Sequence, residues 1–328
     1  MSATIQSTLA DKALGAIFGA LAGDASGATL EFIGRRPTPD EVDRAMKMVG
    51  GGIWNTAPGQ VTDDGELTLA LLQALIGSQQ YSPNRAAGFY RKWRLSSPFD
   101  VGQATASALA HGDIDDAHLA QTVIDNARRY NQTSKANGSL MRATPLGIWS
   151  ARVSIAEAIH AARSDAMLTH PNPSCQWACA AYVIAIRHLM LAPEDYIGAV
   201  DAAMSALSAK DAEEVLGWLQ DAMAENLPPF HPMAGFVRIG FTHAFFHLMN
   251  ATPYPVAIHA TLSGGGDTDT NACIVGGLVG ALHGINSIPA NMRESISRCD
   301  TSLGRHRPEW LSTRNIEPLV HALIKPSS

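Results

Sequence analysis

The chain has 328 residues, 46% of them hydrophobic and only 6% aromatic, with a formal net charge of −6. This length and apolar fraction suffice for a large core, and the wealth of Ala and Gly over aromatic residues favours packed helices over a β-sandwich. The absence of any basic block argues against a nucleic-acid partner.

The longest apolar run, residues 272–285, is too short and too Gly-rich to span a bilayer, so no membrane partner is expected. The first ten residues lack the order of a signal peptide. The four cysteines (Cys175, Cys179, Cys273, Cys299) form no C-x-x-C pair and no zinc pattern. One cytoplasmic, monomeric domain over residues 1–328, with residues 1–10 flexible, is the expectation.

Residues 12–29 read as a helix, with Leu14, Ile17, Phe18 and Leu21 in an apolar stripe. Gly15, Gly19 and Gly23 recur at every fourth position. Each weakens an isolated helix by about 1 kcal/mol, so three in register predict close packing against another backbone. Asp24 and Glu31 end the segment, where either can simply be solvated. Residues 34–39 break it with Gly and Pro.

Residues 49–60 are Gly-rich and irregular. They lead into Val61-Thr62-Asp63-Asp64-Gly65-Glu66 and a helix over 67–76. Thr and Asp at a helix start are ordinary caps, and their charge suits the dipole. Adjacent aspartates repel one another, however, and beside a buried helix they ask for a cation.

Helices over 84–95 and 103–111 flank the turn Phe99-Asp100-Val101-Gly102. Asp113, Asp115 and Asp116 lack the EF-hand pattern and read as surface. After a helix over 119–130 comes Asn137-Gly138-Ser139-Leu140-Met141-Arg142, a small-residue loop entering a helix, where exposed amides can hold an anion.

Helices over 153–163 and 175–191 surround Thr169-His170-Pro171, and Cys175 and Cys179 read as buried thiols. Two more helices fill 195–225. In a helix over 235–249, His243 and His247 stand at i, i+4. The glutamate of H-E-x-x-H is missing, with Ala244 and Phe245 in its place, which favours structural histidines. Then comes Ser263-Gly264-Gly265-Gly266-Asp267-Thr268-Asp269-Thr270-Asn271-Ala272. The glycines permit a sharp turn on which the carboxylates converge. After Pro289 the chain reads as a basic, polar tail with a last helix over 316–324. No strand pattern or repeat appears, so the fold class expected is all-α.

Thr62-Asp63-Asp64 and Asp267-x-Asp269-Thr270 both open apolar helices and offer only hard oxygen ligands. If the two helix starts meet, their charge is too great to bury unpaired. Oxygen-only ligation selects Mg²⁺, Mn²⁺ or Ca²⁺ over zinc, and two ions about 3.5–4 Å apart would share such a set.

These motifs resemble the ADP-ribosylglycohydrolases, including the dinitrogenase-reductase-activating type. The resemblance spans nearly the whole chain: residues 14–32 (LGAIFGALAGDASGATLEF), 59–70 (GQVTDDGELTLA), 100–102 (DVG), 137–142 (NGSLMR), Thr169-His170-Pro171, 263–270 (SGGGDTDT) and 276–289. It implies that family's compact, single-domain, orthogonal helical bundle. It also implies that Thr62, Asp63, Asp64, Asp267, Asp269 and Thr270 hold two Mg²⁺ (or Mn²⁺) ions.

Glu31, Asp63, Asp64, Asp100 and Asp267 are the catalytic candidates by the same resemblance, with Asp100 facing the substrate in arginine-directed members. Gly102, Asn137, Gly138, Ser139, Met141, His170, Gly265 and Gly266 would contact the substrate, with residues 137–139 at its diphosphate. The family usually continues Asp-Asp-Thr, whereas here Gly65 follows the aspartates. The implied activity is removal of ADP-ribose from a modified protein side chain, most readily arginine. Two other readings remain open at this point: an ADP-ribose-binding or immunity protein, and a hydrolase of serine-linked or O-acetyl-ADP-ribose.

Overall fold

The computed structural model describes residues 3–110 and 116–325. The acidic stretch at Asp113 and Asp115 lies outside them. Among the described residues the chain is built from sixteen α-helices and short 3₁₀ turns. In order they are α1 (Ala3–Gly27), α2 (Pro39–Ala45), α3 (Asp63–Leu75), α4 (Pro83–Leu95), α5 (Gln103–Ala108), α6 (Leu119–Asn131), α7 (Thr144–Trp149) and α8 (Ile155–Met167). The second half comprises α9 (Pro173–Leu191), α10 (Tyr196–Ala206), α11 (Glu213–Met223), α12 (Val237–Met249), α13 (Tyr254–Gly264), α14 (Thr268–His283), α15 (Ala290–Ser297) and α16 (Ile316–Ile324). Among the described residues the β-type pairing is limited to two isolated bridges, Gly51 with Thr56 and Ala136 with Phe236. None of these helices is long and apolar enough to cross a membrane.

The glycine spacing in α1 has the partner it demands. α14 runs antiparallel to α1 at backbone contact: a Cβ on Gly15 would meet Gly280 O at 2.4 Å, one on Gly19 would meet Gly276 O at 2.2 Å, and one on Gly23 would meet Ala272 O at 2.1 Å. Side chains larger than hydrogen are excluded along this seam. The contact continues to Gly27, where a Cβ would meet Asp269 Cα at 2.4 Å. Register along the seam therefore sets the end of α1, with Asp24 and Glu31 nearby, against the start of α14.

One large apolar cluster surrounds this pair, joining residues from Ala13 to Leu323. α9 is buried nearly throughout, as its Ala-rich sequence suggests, and all four thiols are free and buried. His243 and His247 are structural. His243 Nε2 pairs with Pro228 O at 3.0 Å and its ring stacks on Phe230, while His247 Nδ1 faces the Thr252 hydroxyl at 3.3 Å.

Four expectations are corrected. α1 starts at Ala3 rather than residue 12, so residues 3–11 belong to the helix. α5 stops at Ala108. The loop at Asn137 does not enter a helix directly, because Leu140 and Met141 donate N–H back to Asn137 O and close turns ahead of α7. The segment after Pro289 is no loose tail: its Met292, Ile296, Leu311, Ile316, Val320 and Leu323 side chains enter the core.

Candidate active site

Two helix starts and one helix end build the floor of the site. Neither Thr62, which precedes α3, nor Asp267, which precedes α14, uses its side chain to cap its own helix. Ordinary capping therefore does not account for them. Thr62 and the Gly65 N–H of the first turn of α3 are satisfied instead by Asp24 of α1. Its carboxylate accepts from the Thr62 N–H at 3.0 Å, the Thr62 hydroxyl at 2.9 Å and the Gly65 N–H at 2.8 Å. A helix start has unpaired amides and a buried carboxylate needs donors; this contact meets both needs.

The Thr62 hydroxyl also lies 3.1 Å from Asp64 Oδ2, and the Thr270 hydroxyl lies 3.3 Å from the same oxygen. Asp64 Oδ1 is buried without a hydrogen-bond partner. One oxygen from each of Asp24, Asp64 and Asp269 lies within 4.8 Å of the other two, and the same holds for Glu31, Asp267 and Asp269. Asp269 belongs to both triads.

Such crowding raises proton affinity. Burial, reinforced by neighbouring carboxylates, holds Asp63, Asp64 and Asp269 well above the usual range. Burial and then the Asp100 charge push Glu31 up to about 8. Asp24 rises to about 7 by burial, against the pull of its donors. Burial and the Asp267 charge raise Asp100 to about 6. A divalent cation inverts this logic by favouring every ionised form. The donors are all oxygen, and Asp64 Oδ1 has an unfilled lone-pair direction. The residues thus fit hard divalent cations.

Above this floor opens a cavity of about 940 Å³. Glu31 reaches it while accepting a 2.7 Å hydrogen bond from the Trp54 indole, and Trp54 packs between Phe32 and Phe99. Asp63 accepts from the Gly102 N–H at 3.2 Å, bringing the Asp100 turn over the first turn of α3. The Asn137 amide donates to Asp267 Oδ2 at 2.7 Å. Gly265 and Gly266 both take positive φ (72° and 75°), which makes the sharp turn that delivers Asp267. Glycine adopts this geometry without penalty.

His170 packs against Gly138, where a Cβ would lie 2.9 Å from its ring. Its Nδ1 meets the Thr169 hydroxyl at 2.8 Å, and burial lowers its pKa to about 3, so the ring is neutral. Arg142, paired with Asp165 at 3.0 Å, supports this loop by donating to Gly138 O at 3.3 Å.

Of the residues singled out from sequence, Glu31, Asp63, Asp100, Gly102, Asn137, Gly138, Met141, His170, Gly266, Asp267, Asp269 and Thr270 line the cavity. Thr62 and Asp64 lie buried in the floor behind it. Gly265 sits beside His231, 3.2 Å from it if given a Cβ. Ser139 is fully buried and its hydroxyl faces Cys179 Sγ at 3.5 Å, so its side chain points into the core.

Asp24 was not singled out as a site residue, and it belongs here. Its signal was its place beside Gly23 on the glycine face, where a carboxylate is buried and needs partners. Gly65 is also accounted for. A Cβ there would meet Val61 Cβ at 2.6 Å, Asp24 Oδ2 at 2.7 Å and Leu21 Cδ2 at 2.8 Å.

The sequence profile described as ADP-ribosylglycohydrolase matches residues 5–324. A protein of Acanthamoeba polyphaga mimivirus named as an ADP-ribosyl glycohydrolase is 30% identical, over 89% of this chain and 92% of that protein. The ADP-ribosyl-[dinitrogen reductase] glycohydrolase of Rhodospirillum rubrum is 27% identical, over 90% and 92%. The ADP-ribosylarginine hydrolase Tri1 of Pseudomonas putida is 26% identical, over 88% and 74%. A solved structure titled as an ADP-ribosylglycohydrolase-related protein complex superposes with a TM-score of 0.71 at 23% identity, covering 98% of this chain and 100% of that one, and so shares the fold. With its profile matched almost end to end, the chain belongs to the ADP-ribosylglycohydrolase family.

Proposed function

We propose that this protein hydrolyses the N-glycosidic bond between ADP-ribose and an arginine side chain of a modified protein, using two Mg²⁺ or Mn²⁺ ions. The observation that carries the proposal is the pair of carboxylate triads sharing Asp269 on the floor of an acidic cavity. Asp64, Asp269 and Thr62 would hold one ion, with Asp24 steadying them from behind. Glu31, Asp267 and Asp269 would hold the other, with Asp63 and Thr270 completing the set. Such ions bind sugar hydroxyls and lower the pKa of water.

The chain's own groups do the remaining work. Asn137 fixes Asp267 through its 2.7 Å bond. Trp54 holds Glu31 at the cavity wall, where a carboxylate can orient or deprotonate the attacking water. Cleavage builds oxocarbenium-like positive charge on the distal ribose, which Glu31, Asp63 and Asp100 face. Gly138 and His170 line the same cavity, where a neutral imidazole can donate or accept a hydrogen bond without adding charge.

Charge supports the arginine reading. Arg35 is the one Lys or Arg among the described cavity-lining residues, and Glu41 already neutralises it at 2.7 and 2.8 Å. Asp100 is left to pair with a cationic leaving group, as a guanidinium provides. The test is release of ADP-ribose from ADP-ribosyl-arginine by the purified protein with Mg²⁺. Asp267→Ala is expected to abolish release and weaken Mg²⁺ binding; undiminished turnover in that variant, or in wild type stripped with EDTA, refutes the metal assignment.

A further inference from the structure

The turn that carries Asp100 is tied down from outside the cavity. Glu66 lies in the first turn of α3, just beyond the Asp63-Asp64 pair, and is buried. It accepts from the Trp93 indole at 2.7 Å and from Arg307 Nε at 2.6 Å and Nη2 at 2.9 Å. The other face of the same guanidinium donates to Ser96 O at 2.9 Å, Ser97 O at 3.1 Å and Ser96 Oγ at 2.8 Å. Ser97 stands at φ 54°, a left-handed geometry that costs a non-glycine residue energy and persists only where its surroundings enforce it.

Asp100 follows three residues later, and the Gly102 N–H closes on Asp63 at 3.2 Å. The loop over 96–102 therefore has two anchors, both on the first turn of α3, with Asp100 between them. Gln60 holds the Arg307 segment in turn, accepting from the Arg305 N–H at 2.9 Å and donating to Arg305 O at 2.5 Å. Arg307 makes five hydrogen bonds from one planar fork, to Glu66, Ser96 and Ser97, where a lysine would offer three donors at a single point.

We propose that Arg307, seated on Glu66, is a positioning residue that fixes Asp100 for the acceptor group of the substrate. The inference rests on the hydrolase reading above. Removing one partner alone would strand a buried charge, whereas replacing both by apolar residues is often tolerated. The test variant is therefore Glu66→Leu/Arg307→Met, with Arg307→Lys as a second that keeps the charge on Glu66 but loses the grip on Ser96 and Ser97.

For either variant that folds cooperatively and binds Mg²⁺ like wild type, kcat/KM on ADP-ribosyl-arginine is expected to fall about tenfold or more, as misplaced catalytic groups do. In an Asp100→Asn background the same change should cost little further, because the two act through one group. Full kcat/KM in the clamp variants overturns the proposal, as does a loss that simply multiplies with that of Asp100→Asn. Amide exchange at residues 96–102 reads the clamp without turnover: faster exchange in the variants is expected, and unchanged protection overturns it. Should wild type leave ADP-ribosyl-arginine intact, the hydrolase reading fails, and the exchange experiment still decides whether the clamp exists.

Discussion

Replacing Gly65 with threonine, the residue that the family resemblance leads one to expect there, should damage this protein. A Cβ would approach Val61 Cβ, Asp24 Oδ2 and Leu21 Cδ2 at 2.6–2.8 Å, well inside ordinary contact. The Leu21 methyl is the end of a flexible side chain and can give. Val61 Cβ is tied to backbone, and Asp24 is held by donors from Thr62 and Gly65 itself. Overpacking of this kind costs about 1–3 kcal/mol. Displacing Asp24 weakens hydrogen bonds to a charged acceptor, worth about 1.5–3 kcal/mol each. Leaving glycine in a helix returns less than about 1 kcal/mol. The net expectation is a loss of about 2–4 kcal/mol for Gly65→Thr, and a smaller one for Gly65→Ala, which lacks the γ atoms. Urea unfolding with and without Mg²⁺ measures it, and Mg²⁺ affinity should fall in parallel because Asp24 carries Thr62. A threonine variant as stable as wild type, with unchanged Mg²⁺ binding, refutes this account of Gly65.

Three further outcomes follow from the same geometry. Gly276→Ala would place a Cβ 2.2 Å from Gly19 O, backbone against backbone, and should cost at least about 3 kcal/mol in urea unfolding while weakening Mg²⁺ binding; a neutral result would mean the seam does not set the register. Asp24→Asn keeps the volume but turns an amide toward the donors of Thr62 and Gly65. Titration calorimetry should show Mg²⁺ affinity reduced about tenfold or more, the usual effect of losing an outer-shell partner. The third concerns pH. The folded pKa values of Glu31 (about 8) and Asp24 (about 7) lie above their ordinary values of 4.5 and 3.8. Groups raised in this way contribute stability below their unfolded pKa and lose it as pH rises through the folded value. Metal-free protein in EDTA should therefore melt progressively lower from about pH 5 to about pH 8, and Mg²⁺ should flatten that slope. Equal slopes with and without Mg²⁺ would contradict the assignment of these carboxylates to a cation site.

The helices, and the needs that the motifs state, were legible in the sequence because they depend on local patterns. The 3.6-residue stripes, the Gly15-Gly19-Gly23 spacing and the oxygen-only clusters at Thr62-Asp63-Asp64 and Asp267-x-Asp269-Thr270 each state a need: a buried face, a close backbone, a cation. The sequence names those needs but not the partner that meets them. Only the tertiary structure decided that α14 fills the glycine seam of α1, and with it that Asp24, which looks solvated in the sequence, satisfies the start of α3. Ser139 turning toward Cys179, and Arg307 joining Glu66 to Ser96 and Ser97, were beyond local reading for the same reason. Burial and hydrogen-bond satisfaction belong to the whole chain. A carboxylate or guanidinium has the same local signature whether it faces water or a partner more than two hundred residues away, as Arg307 faces Glu66.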